Sequence, residues 1–474
     1  MDFRLPEKVN TIIKTLKNAG FEAYAVGGCV RDLILNRRPN DWDITTNAVP
    51  AEVKKLFRRT FDTGIEHGTV TVMLGEDHFE VTTYRLDGKY SDLRHPDEVR
   101  FTGSLTEDLK RRDFTVNALA YNEEDGLRDE FGGREDLKNG VIRAVGNAKE
   151  RFSEDALRIL RAFRFAAQLD FSIEEETLRA AKELKGNLKA VSAERIMTEF
   201  TKLLCSGHPE LIRSLYETGI TEIILPEADI CFKTDQRNKH HMYTVGEHTI
   251  RALMADACEL KKTEAEYVTE DEWREFLEVY EKIRRLPGIY DERADRYVRY
   301  ALLFHDFGKP ACMKEDEEGN RHFKGHAIES ERISQDVLTR LKSDNDTKSM
   351  VGKLVLYHDY RPDPDKRSVR RAINKIGKEA YLLLFRVRVA DTLAQSAYNR
   401  PEKLKYEKEV MLSYLDITDA RECVSIKDLA VNGKDLMEKG MEPGPELGDK
   451  LKELLEIVLE NPECNTREYL LSRL

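Results

Sequence analysis

Residues 23–45, AYAVGGCVRDLILNRRPNDWDIT, decide the fold of the domain around them. An apolar run ends in a pair of glycines, a short helical stretch carrying Arg31 follows, and Asp41 and Asp43 begin a second extended run. Paired glycines let backbone N–H groups approach an anion closely, and an arginine offers a planar fork to phosphate oxygens. Side chains two residues apart on a strand share a face, so the two aspartates are placed to hold a divalent cation together.

Each part of this segment has a plain structural alternative, because paired glycines usually form a turn and Asp-x-Asp is frequent by chance. Their order, however, resembles the opening of the polymerase-β-type nucleotidyltransferases, specifically the family of tRNA nucleotidyltransferases and bacterial poly(A) polymerases. The resemblance implies that Asp41 and Asp43 are catalytic and bind Mg²⁺. It also implies that Gly27, Gly28 and Arg31 bind the nucleotide.

The composition indicates a soluble, helix-rich protein of about three domains, with 474 residues of which 40% are hydrophobic and 35% charged. The formal net charge of −11 argues against broad nonspecific RNA binding but is compatible with a local basic groove. We find neither an apolar run of membrane-spanning length nor a signal-peptide core, so we expect no membrane partner and a cytoplasmic location. The seven scattered cysteines argue against disulfides and a cysteine-built zinc site.

Two extended runs, 69–74 and 78–84, flank a Gly-Glu-Asp turn and predict a β-hairpin. Glu80, in the second run, is either a solvent-facing strand residue or a third carboxylate beside the two aspartates, acting as metal ligand or base. The polar stretch 85–108 is long for an inert connection and predicts a functional mobile loop. In the family that the chain resembles, a loop here takes part in switching between nucleotides and is typical of enzymes that add the complete CCA end.

The string RRDFTVNA at 111–118 has two interpretations. Basic residues beside an apolar run are compatible with a solvated helix start. The string also matches the second motif of the family, and by that resemblance Arg112 and Asp113 contact the phosphate and ribose of the nucleotide. A ribose contact distinguishes a ribonucleotide through its 2′-hydroxyl.

A helix is predicted from Arg151 onward, with Ser153 as its N-cap. Arg158, Arg161 and Arg164 recur every three residues and therefore share one helical face. A surface helix with many ion pairs would show the same pattern. Against that alternative, EDALRILRAFRFA closely matches the nucleotide-selecting motif of the family.

That match implies a mechanism of base selection. Asp155 accepts a hydrogen bond from the amino group of cytosine or adenine, and Arg158 donates to the ring nitrogen, so the protein replaces a nucleic-acid template. Arg161 and Arg164 hold the nucleotide, through its triphosphate. The segment 192–195 resembles another family element that braces the selecting helix, and we assign it a structural role.

A second constellation of histidines and aspartates occupies apolar segments after residue 240. A lone core histidine is usually structural, but the order H…HD…D with further histidines resembles the HD phosphohydrolase superfamily. The resemblance implies a second divalent transition metal, such as Mn, Fe or Ni, and a phosphatase or 2′,3′-cyclic phosphodiesterase activity. The candidate ligands are His248, His305, Asp306, His326, His358 and Asp391. The charged stretch 264–286 predicts a surface insertion.

Two further segments are candidates for contact with RNA. The basic stretch 365–385 either binds the RNA backbone or forms a solvated helix face. Residues 429–474 predict two helices joined by a Gly/Pro turn and resemble the family's tail, which anchors the tRNA elbow in members with an HD region.

These observations predict an α+β fold, in which a small mixed-sheet nucleotidyltransferase head is followed by all-α neck, HD and tail regions. The predicted domains are residues 1–147 (head), 148–226 (neck), 227–400 (HD) and 401–474 (tail). The predicted function is CCA addition to tRNA from CTP and ATP. Poly(A) polymerase, a CC- or A-adding specialist, and an HD phosphohydrolase with an RNA-binding head are the alternatives. The stretch TGIEHGTVTV at 63–72 argues against poly(A) polymerase, since such enzymes typically carry a basic run there.

Overall fold

The computed structural model describes residues 3–88, 90, 98–237, 242–257 and 268–474. The chain forms two compact units, Met1–Pro226 and Glu227–Leu474. The first contains the main sheet, and the second is almost entirely helical. The predicted α+β class is confirmed, with a mixed-sheet head followed by helical regions. The finer four-domain division stays a prediction.

The first unit combines eleven strands with eleven helices in its described part. The strands are β1 (Ala23–Val26), β2 (Asp43–Thr46), β3 (Thr60–Gly64), β4 (Thr69–Leu74), β5 (Asp77–Thr83), β6 (Arg85–Asp87), β7 (Val99–Phe101), β8 (Ala120–Asn122), β9 (Gly126–Arg128), β10 (Val141–Ile142) and β11 (Ser172–Ile173). The helices are α1 (Glu7–Asn18), α2 (Gly28–Ile34), α3 (Pro50–Leu56), α4 (Leu105–Lys110), α5 (Gly133–Asn139), α6 (Ala148–Glu154), α7 (Leu157–Leu169), α8 (Glu175–Leu184), α9 (Ala193–Leu204), α10 (Leu211–Glu217) and α11 (Thr221–Ile224).

The main sheet has seven strands in the order β3-β4-β5-β2-β1-β8-β9. Its pairings are antiparallel except for β2 with β5, which run parallel and place Asp43 opposite Glu80. The predicted hairpin is confirmed as β4 and β5. Strand β2 begins at Asp43, so Asp41 precedes the strand instead of lying within it.

A buried cluster fixes the main sheet to the segments that follow it. It joins side chains of β1 and β8 to α4 and to the chain after β10: Tyr24, Val26, Tyr84, Leu109, Ala118, Ala120 and Val145. Burial of such apolar area is the main force that orders the head. Part of the predicted loop 85–108 is structured, since β6 pairs with β7. Its residues 89 and 91–97 lie outside the described residues.

The described residues of the second unit form helices and one short hairpin, β12 (Lys314–Glu315) and β13 (Arg321–His322). Its helices are α12 (Pro226–Lys233), which begins at the boundary, α13 (Val245–Ala257), α14 (Glu270–Arg284), α15 (Glu292–Phe304), α16 (Lys309–Cys312), α17 (His326–Arg340), α18 (Asn345–Tyr357), α19 (Lys366–Ile376), α20 (Lys378–Ala394), α21 (Arg400–Asp419), α22 (Gly433–Glu438), α23 (Pro445–Glu460) and α24 (Arg467–Leu471). In the part of the chain that the structure describes, we find no helix long and apolar enough to cross a membrane.

Helix α14 corrects the prediction of a surface insertion. Trp273, Phe276, Tyr280 and Ile283 are buried along one of its faces, so the helix contributes to the core of the second unit. Its high charge had concealed this stripe, because charged residues fill the positions between the apolar ones. Residues 264–267 of the predicted insertion lie outside the described residues.

The basic stretch 365–385 forms α19 and the start of α20, and its cations pair with acidic side chains nearby. Arg370 is almost fully buried, and it donates to Glu422 and to the backbone carbonyl of Leu459. Arg367 pairs with Glu460 of α23. These contacts attach the tail to α19, so at these positions the charge has an internal structural role.

Candidate active site and metal centre

The three predicted catalytic carboxylates form a carboxylate cluster on, and just before, the central strand pair β2 and β5 of the main sheet. Asp43 is opposite Glu80 on the parallel pair β2 and β5, and both residues are exposed, as is Asp41. Desolvation by the surrounding chain, followed by the negative charge of Asp41 and Glu80, raises the pKa of Asp43 to about 6, although Arg112 acts in the opposite direction. Such crowding of like charges is relieved by a bound cation.

The glycine turn between β1 and α2 brings the backbone close to an arginine. Gly27 has φ +81° and ψ −132°, and its N–H donates to the carbonyl of Leu119. A Cβ at this position would come within 3.0 Å of Arg112 Nη1. Only glycine adopts this backbone conformation without strain, and only glycine leaves Arg112 its place.

We expect Gly27→Ala to destabilise the head by about 1–3 kcal/mol, because the new side chain is strained at positive φ and displaces Arg112. Thermal unfolding followed by circular dichroism measures the change. Gly28→Ala is the matched control, since Gly28 is the first residue of α2 and its Cβ would lie 3.6 Å from Arg31 Nη2. Equal stability of the two variants would contradict the prediction.

Arg112 and Asp113 are placed differently from each other. Arg112 lies 3.6 Å from Asp108 and faces the glycine turn. Asp113 is buried, and its carboxylate accepts hydrogen bonds from the Phe114 N–H, from Asn117 and twice from Arg161. Burial acts to raise the pKa of Asp113, but the charges of Arg161 and Arg158 outweigh it and hold the pKa at about 2. Asp113 therefore fastens the selecting helix to the head; its ribose contact stays a prediction.

Three arginines surround the ring of Phe165 on α7. The guanidinium carbons of Arg31 and Arg161 lie 5.2 Å from the ring centroid, and that of Arg164 lies 3.7 Å from it. Arg31 also donates to Asp32 and Asn117. The sequence placed Arg161 and Arg164 on one helical face, and the structure adds Arg31 from the glycine turn to this group. A role for them in triphosphate binding stays a prediction.

The predicted single helix from Arg151 onward, which carries the proposed base-reading segment 154–166, is broken into two helices, α6 and α7. Ser153 lies inside α6 and is not an N-cap; that prediction is wrong. Instead Asn147 caps α6 through bonds from the N–H groups of Lys149 and Glu150. The chain then leaves the helical conformation at Asp155, and α7 begins at Leu157.

Of the two proposed base-reading residues, Asp155 lies in this break and Arg158 lies in the first turn of α7. Asp155 Oδ1 accepts the N–H of Leu157 at 3.0 Å, and Oδ2 accepts from Arg195 Nη2 at 2.8 Å. Arg158, on α7, donates to Glu154 Oε2 at 2.7 Å and to the carbonyl of Arg111 at 2.9 Å. The Arg111 contact ties the base-reading segment to the head motif.

Sequence reasoning missed two acidic residues that hold this segment, Glu154 and Glu199, whereas Arg195 lies in the segment 192–195, to which the sequence assigned a bracing role. Glu154 pairs with Arg158, and Arg195 pairs with Asp155. Glu199 is buried on α9, and its Oε2 lies 2.7 Å from Arg164 Nε. Desolvation by burial is the largest cause of the shift that lowers the pKa of Arg164 to about 10. The available signal was the spacing of Arg195 and Glu199, which are one helical turn apart.

The second unit gathers all six predicted HD ligands from the ends or faces of five helices into one largely buried cluster. Two groups have ligand atoms within 4.8 Å of one another: His248, His305 and Asp306 form one, and Asp306, His326 and His358 form the other. Asp391 Oδ1 lies 3.0 Å from His248 Nε2. His240, where the sequence pattern began, lies outside the described residues.

Asp306 is shared between the two groups through different oxygens. Its Oδ2 lies 3.3 Å from His305 Nε2 and 3.5 Å from His248 Nε2. Its Oδ1 lies 3.3 Å from His326 Nε2 and 4.0 Å from His358 Nε2. A carboxylate that presents one oxygen to each of two donor groups is suited to bridge two cations.

Backbone carbonyls orient three of the histidines. The Nδ1 atoms of His305, His326 and His358 each lie 2.7–2.9 Å from the carbonyl oxygen three residues earlier. An Nδ1–H that donates to a carbonyl leaves Nε2 as the acceptor, which is the arrangement that metal-bound histidines use. The Nε2 atoms are those that face Asp306, so the donor set fits a transition metal.

A cavity of about 590 Å³ opens beside this cluster and is lined in part by His326, His358 and Asp391. Two neighbouring residues were missed by sequence reasoning. Lys309 Nζ lies 2.6 Å from Asp306 Oδ2, and Asp359 Oδ2 lies 3.2 Å from His326 Nε2. The second His-Asp pair, at residues 358–359, was the signal that could have identified Asp359.

Acidic residues on central strands next to an arginine-lined turn suit the transfer of a nucleotidyl group, because a divalent cation and phosphate oxygens can meet there. The fold and this carboxylate cluster define the class of the first unit, a nucleotidyltransferase head joined to a helical region. Family models agree with this class. They match "Poly A polymerase head domain" at residues 23–143, "Probable RNA and SrmB- binding site of polymerase A" at 170–231, and "tRNA nucleotidyltransferase domain 2" at 326–474.

Relatives narrow the class to one family. The CCA-adding enzyme of Streptococcus thermophilus is 39% identical over 380 residues, which cover 77% of this chain and 91% of the relative. That of Lactobacillus helveticus is 53% identical over 208 residues, 43% of this chain, and the match spans about half (52%) of the relative's length. The solved structure of the Bacillus stearothermophilus CCA-adding enzyme in complex with CTP aligns with a TM-score of 0.66 and 29% identity, covering 99% and 98% of the two chains. The chain belongs to the family of CCA-adding enzymes.

Proposed function

We propose that this protein adds or repairs the 3′-terminal CCA of tRNA with CTP and ATP, without a nucleic-acid template, in the cytoplasm where these substrates occur together. The observation that carries the proposal is the link between the base-reading segment and the head: Arg158 donates to the carbonyl of Arg111, and Arg161 binds Asp113. A base read at Asp155 and Arg158 is thereby presented in the same unit as the carboxylates of the sheet.

The proposed reaction is an in-line nucleotidyl transfer. The tRNA 3′-hydroxyl attacks the α-phosphorus of the nucleotide, the bond to the β-phosphate oxygen breaks, and pyrophosphate leaves. Asp41, Asp43 and Glu80 would hold Mg²⁺, since this ion prefers carboxylate oxygens, and the pKa of Asp43 is raised first by desolvation and then by the negative charge of its neighbours. The cation supplies neutralisation of the charge that develops on the attacking and leaving oxygens. Arg112 and Arg31 orient the nucleotide from the glycine turn.

The proposed selection of the base follows from hydrogen-bond chemistry. An ionised Asp155 accepts from the exocyclic amino group of cytosine or adenine, and Arg158 donates to the adjacent ring nitrogen. Uracil and guanine present a carbonyl oxygen where the amino group is required, so their binding leaves buried polar groups unpaired. The helical tail, residues 401–474, is the proposed tRNA-binding region.

An extension assay tests this function. Purified protein with Mg²⁺ receives tRNA that ends at the discriminator base, with each labelled nucleotide alone and then with CTP and ATP together. We expect two C additions with CTP, and one further A when both are present. A long A ladder would identify a poly(A) polymerase, and addition of A only to tRNA ending in CC would identify an A-adding specialist. No incorporation would contradict nucleotidyl transfer by the head.

A second candidate function belongs to the HD cluster, and the shared Asp306 favours it. We propose that His248, His305 and Asp391 hold one transition-metal ion, that His326 and His358 hold another, and that Asp306 bridges the two. Such a centre would supply an activated hydroxide at neutral pH, the chemistry of a phosphohydrolase. The adjoining cavity, with Arg321 and Lys324 in its lining, offers cations for a phosphate group.

A further inference from the structure

Asp155 needs help to keep its direction, because it stands in the break between α6 and α7. Its backbone is extended, with φ −132° and ψ 105°, so the regular helical pattern does not orient its side chain. Two contacts set the position of the carboxylate, the N–H of Leu157 on Oδ1 and Arg195 Nη2 on Oδ2. The backbone contact is local, whereas Arg195 comes from another helix.

Helix α9 forms ion pairs with the base-reading segment through two residues that lie one helical turn apart. Arg195 holds Asp155, and Glu199 holds Arg164 through Oε2 at 2.7 Å. The side chains of Arg195 and Asp155 are only 24% and 18% exposed, so solvent screens this pair less than a surface ion pair. The Arg195 contact therefore constrains the orientation of the carboxylate.

We propose that Arg195 is a positioning residue that sets the preference for cytosine and adenine over uracil and guanine; this rests on the proposed function. Bound to arginine, the Asp155 carboxylate is ionised and offers acceptor positions alone. These pair with an amino group and repel the carbonyl oxygen of uracil or guanine. Without Arg195 the carboxylate keeps one anchor, rotates, and no longer opposes the wrong base.

The competing explanation is that Arg195 only braces the fold. A brace and a positioning residue differ in one observable, the ratio of efficiencies between right and wrong nucleotides. Loss of a brace lowers kcat/KM for all four nucleotides in proportion, because it reduces the fraction of competent enzyme. Loss of a positioning residue lowers kcat/KM for CTP and ATP more than for UTP and GTP.

The test measures single-nucleotide incorporation by Arg195→Gln and Arg195→Lys, with CTP and UTP on tRNA ending at the discriminator base and with ATP and GTP on tRNA ending in CC. We expect Arg195→Gln to lower the CTP/UTP and ATP/GTP efficiency ratios by about tenfold to a hundredfold, the range for loss of a hydrogen bond between charged groups. Arg195→Lys should restore part of the ratios, since its ammonium can still donate to Oδ2.

Two matched controls separate the explanations. Glu199→Gln removes the other ion pair of α9 without touching Asp155, and we expect its ratios to stay at the wild-type value. Arg179→Gln removes an exposed ion pair with Glu175 on α8 and should change neither ratio nor stability. Unchanged ratios in both Arg195 variants would overturn the proposal. Failure of the proposed function would appear separately, as absence of CMP and AMP addition by the wild-type protein.

Discussion

Asp43→Asn should reduce nucleotidyl transfer by at least about a thousandfold while leaving the protein folded. The substitution keeps the shape of the side chain but removes a charged oxygen donor for Mg²⁺, and metal stabilisation of phosphoryl transfer is worth several kcal/mol. Glu80 and Asp41 remain, but a neutral asparagine replaces the carboxylate that lies opposite Glu80 in the pairing of β2 with β5. The initial rate of CMP addition to tRNA measures the loss.

Stability should move in the other direction, and this distinguishes loss of catalysis from loss of folding. The pKa of Asp43 is raised to about 6 in the folded protein, above its ordinary value, so the folded state holds a proton that the unfolded state releases. The free energy of unfolding therefore falls as pH rises from the ordinary pKa of an aspartate to the raised pKa of Asp43, and this loss of stability persists at neutral pH. Without divalent cations, Asp43→Asn should unfold at the wild-type temperature or higher.

Asp77→Asn is the matched control for this substitution. Asp77 begins β5, its side chain is 60% exposed, and it pairs with Lys8 at the surface. We expect activity within twofold of wild type, since surface ion pairs contribute little. A similar loss of activity in both variants, or full activity of Asp43→Asn, would contradict the catalytic role proposed for the carboxylate cluster.

The carboxylate cluster could be predicted only in part, from local patterns. Paired glycines indicate a turn, and the extended run that contains Glu80 predicts a strand. From the sequence, Glu80 was either a solvent-facing strand residue or a third carboxylate beside the aspartates. The parallel pairing that places Asp43 opposite Glu80 joins positions that are distant in the sequence, so local patterns do not specify it.

The break at Asp155 could not be predicted, because its determinants are distant in the sequence. Apolar residues continue at helical spacing through the segment, so its pattern indicates one uninterrupted helix. The contacts that stabilise the break come from Arg195 on α9 and Arg111 in the head motif, which are distant in sequence. Local propensity yields to such tertiary contacts, and the incorrect N-cap at Ser153 follows from that.

The HD cluster lies between these two cases. Residue types and their order indicated the candidate ligands, through the resemblance to the HD superfamily. The sequence did not indicate that Asp306 faces both histidine groups or that Asp359 lies near His326. Those depend on how five helices pack, and periodicity carries no information about that.

Asp306→Asn should empty the proposed metal centre of the second unit. Each of the two donor groups includes Asp306, so its neutralisation removes an anionic ligand from both at once. The donors that remain are histidines and the single carboxylate of Asp391, and they compensate less cationic charge in this buried cluster. We expect metal content to fall from about two transition-metal ions per chain to well below one after loading with Mn²⁺ or Ni²⁺, measured by elemental analysis after removal of free metal.

His305→Ala should show a graded loss, because His305 belongs to one of the two donor groups and leaves His326 and His358 in place. Its matched control is His208→Ala in the first unit, where His208 contacts Glu210 and belongs to neither group. Phosphatase activity on a generic phosphate ester should follow metal content across these variants, whereas CMP addition should stay within twofold of wild type. The metal centre would be contradicted if the wild-type protein bound no transition metal, or if Asp306→Asn retained the full wild-type metal content. If CMP addition fell together with metal content, the two activities would depend on each other.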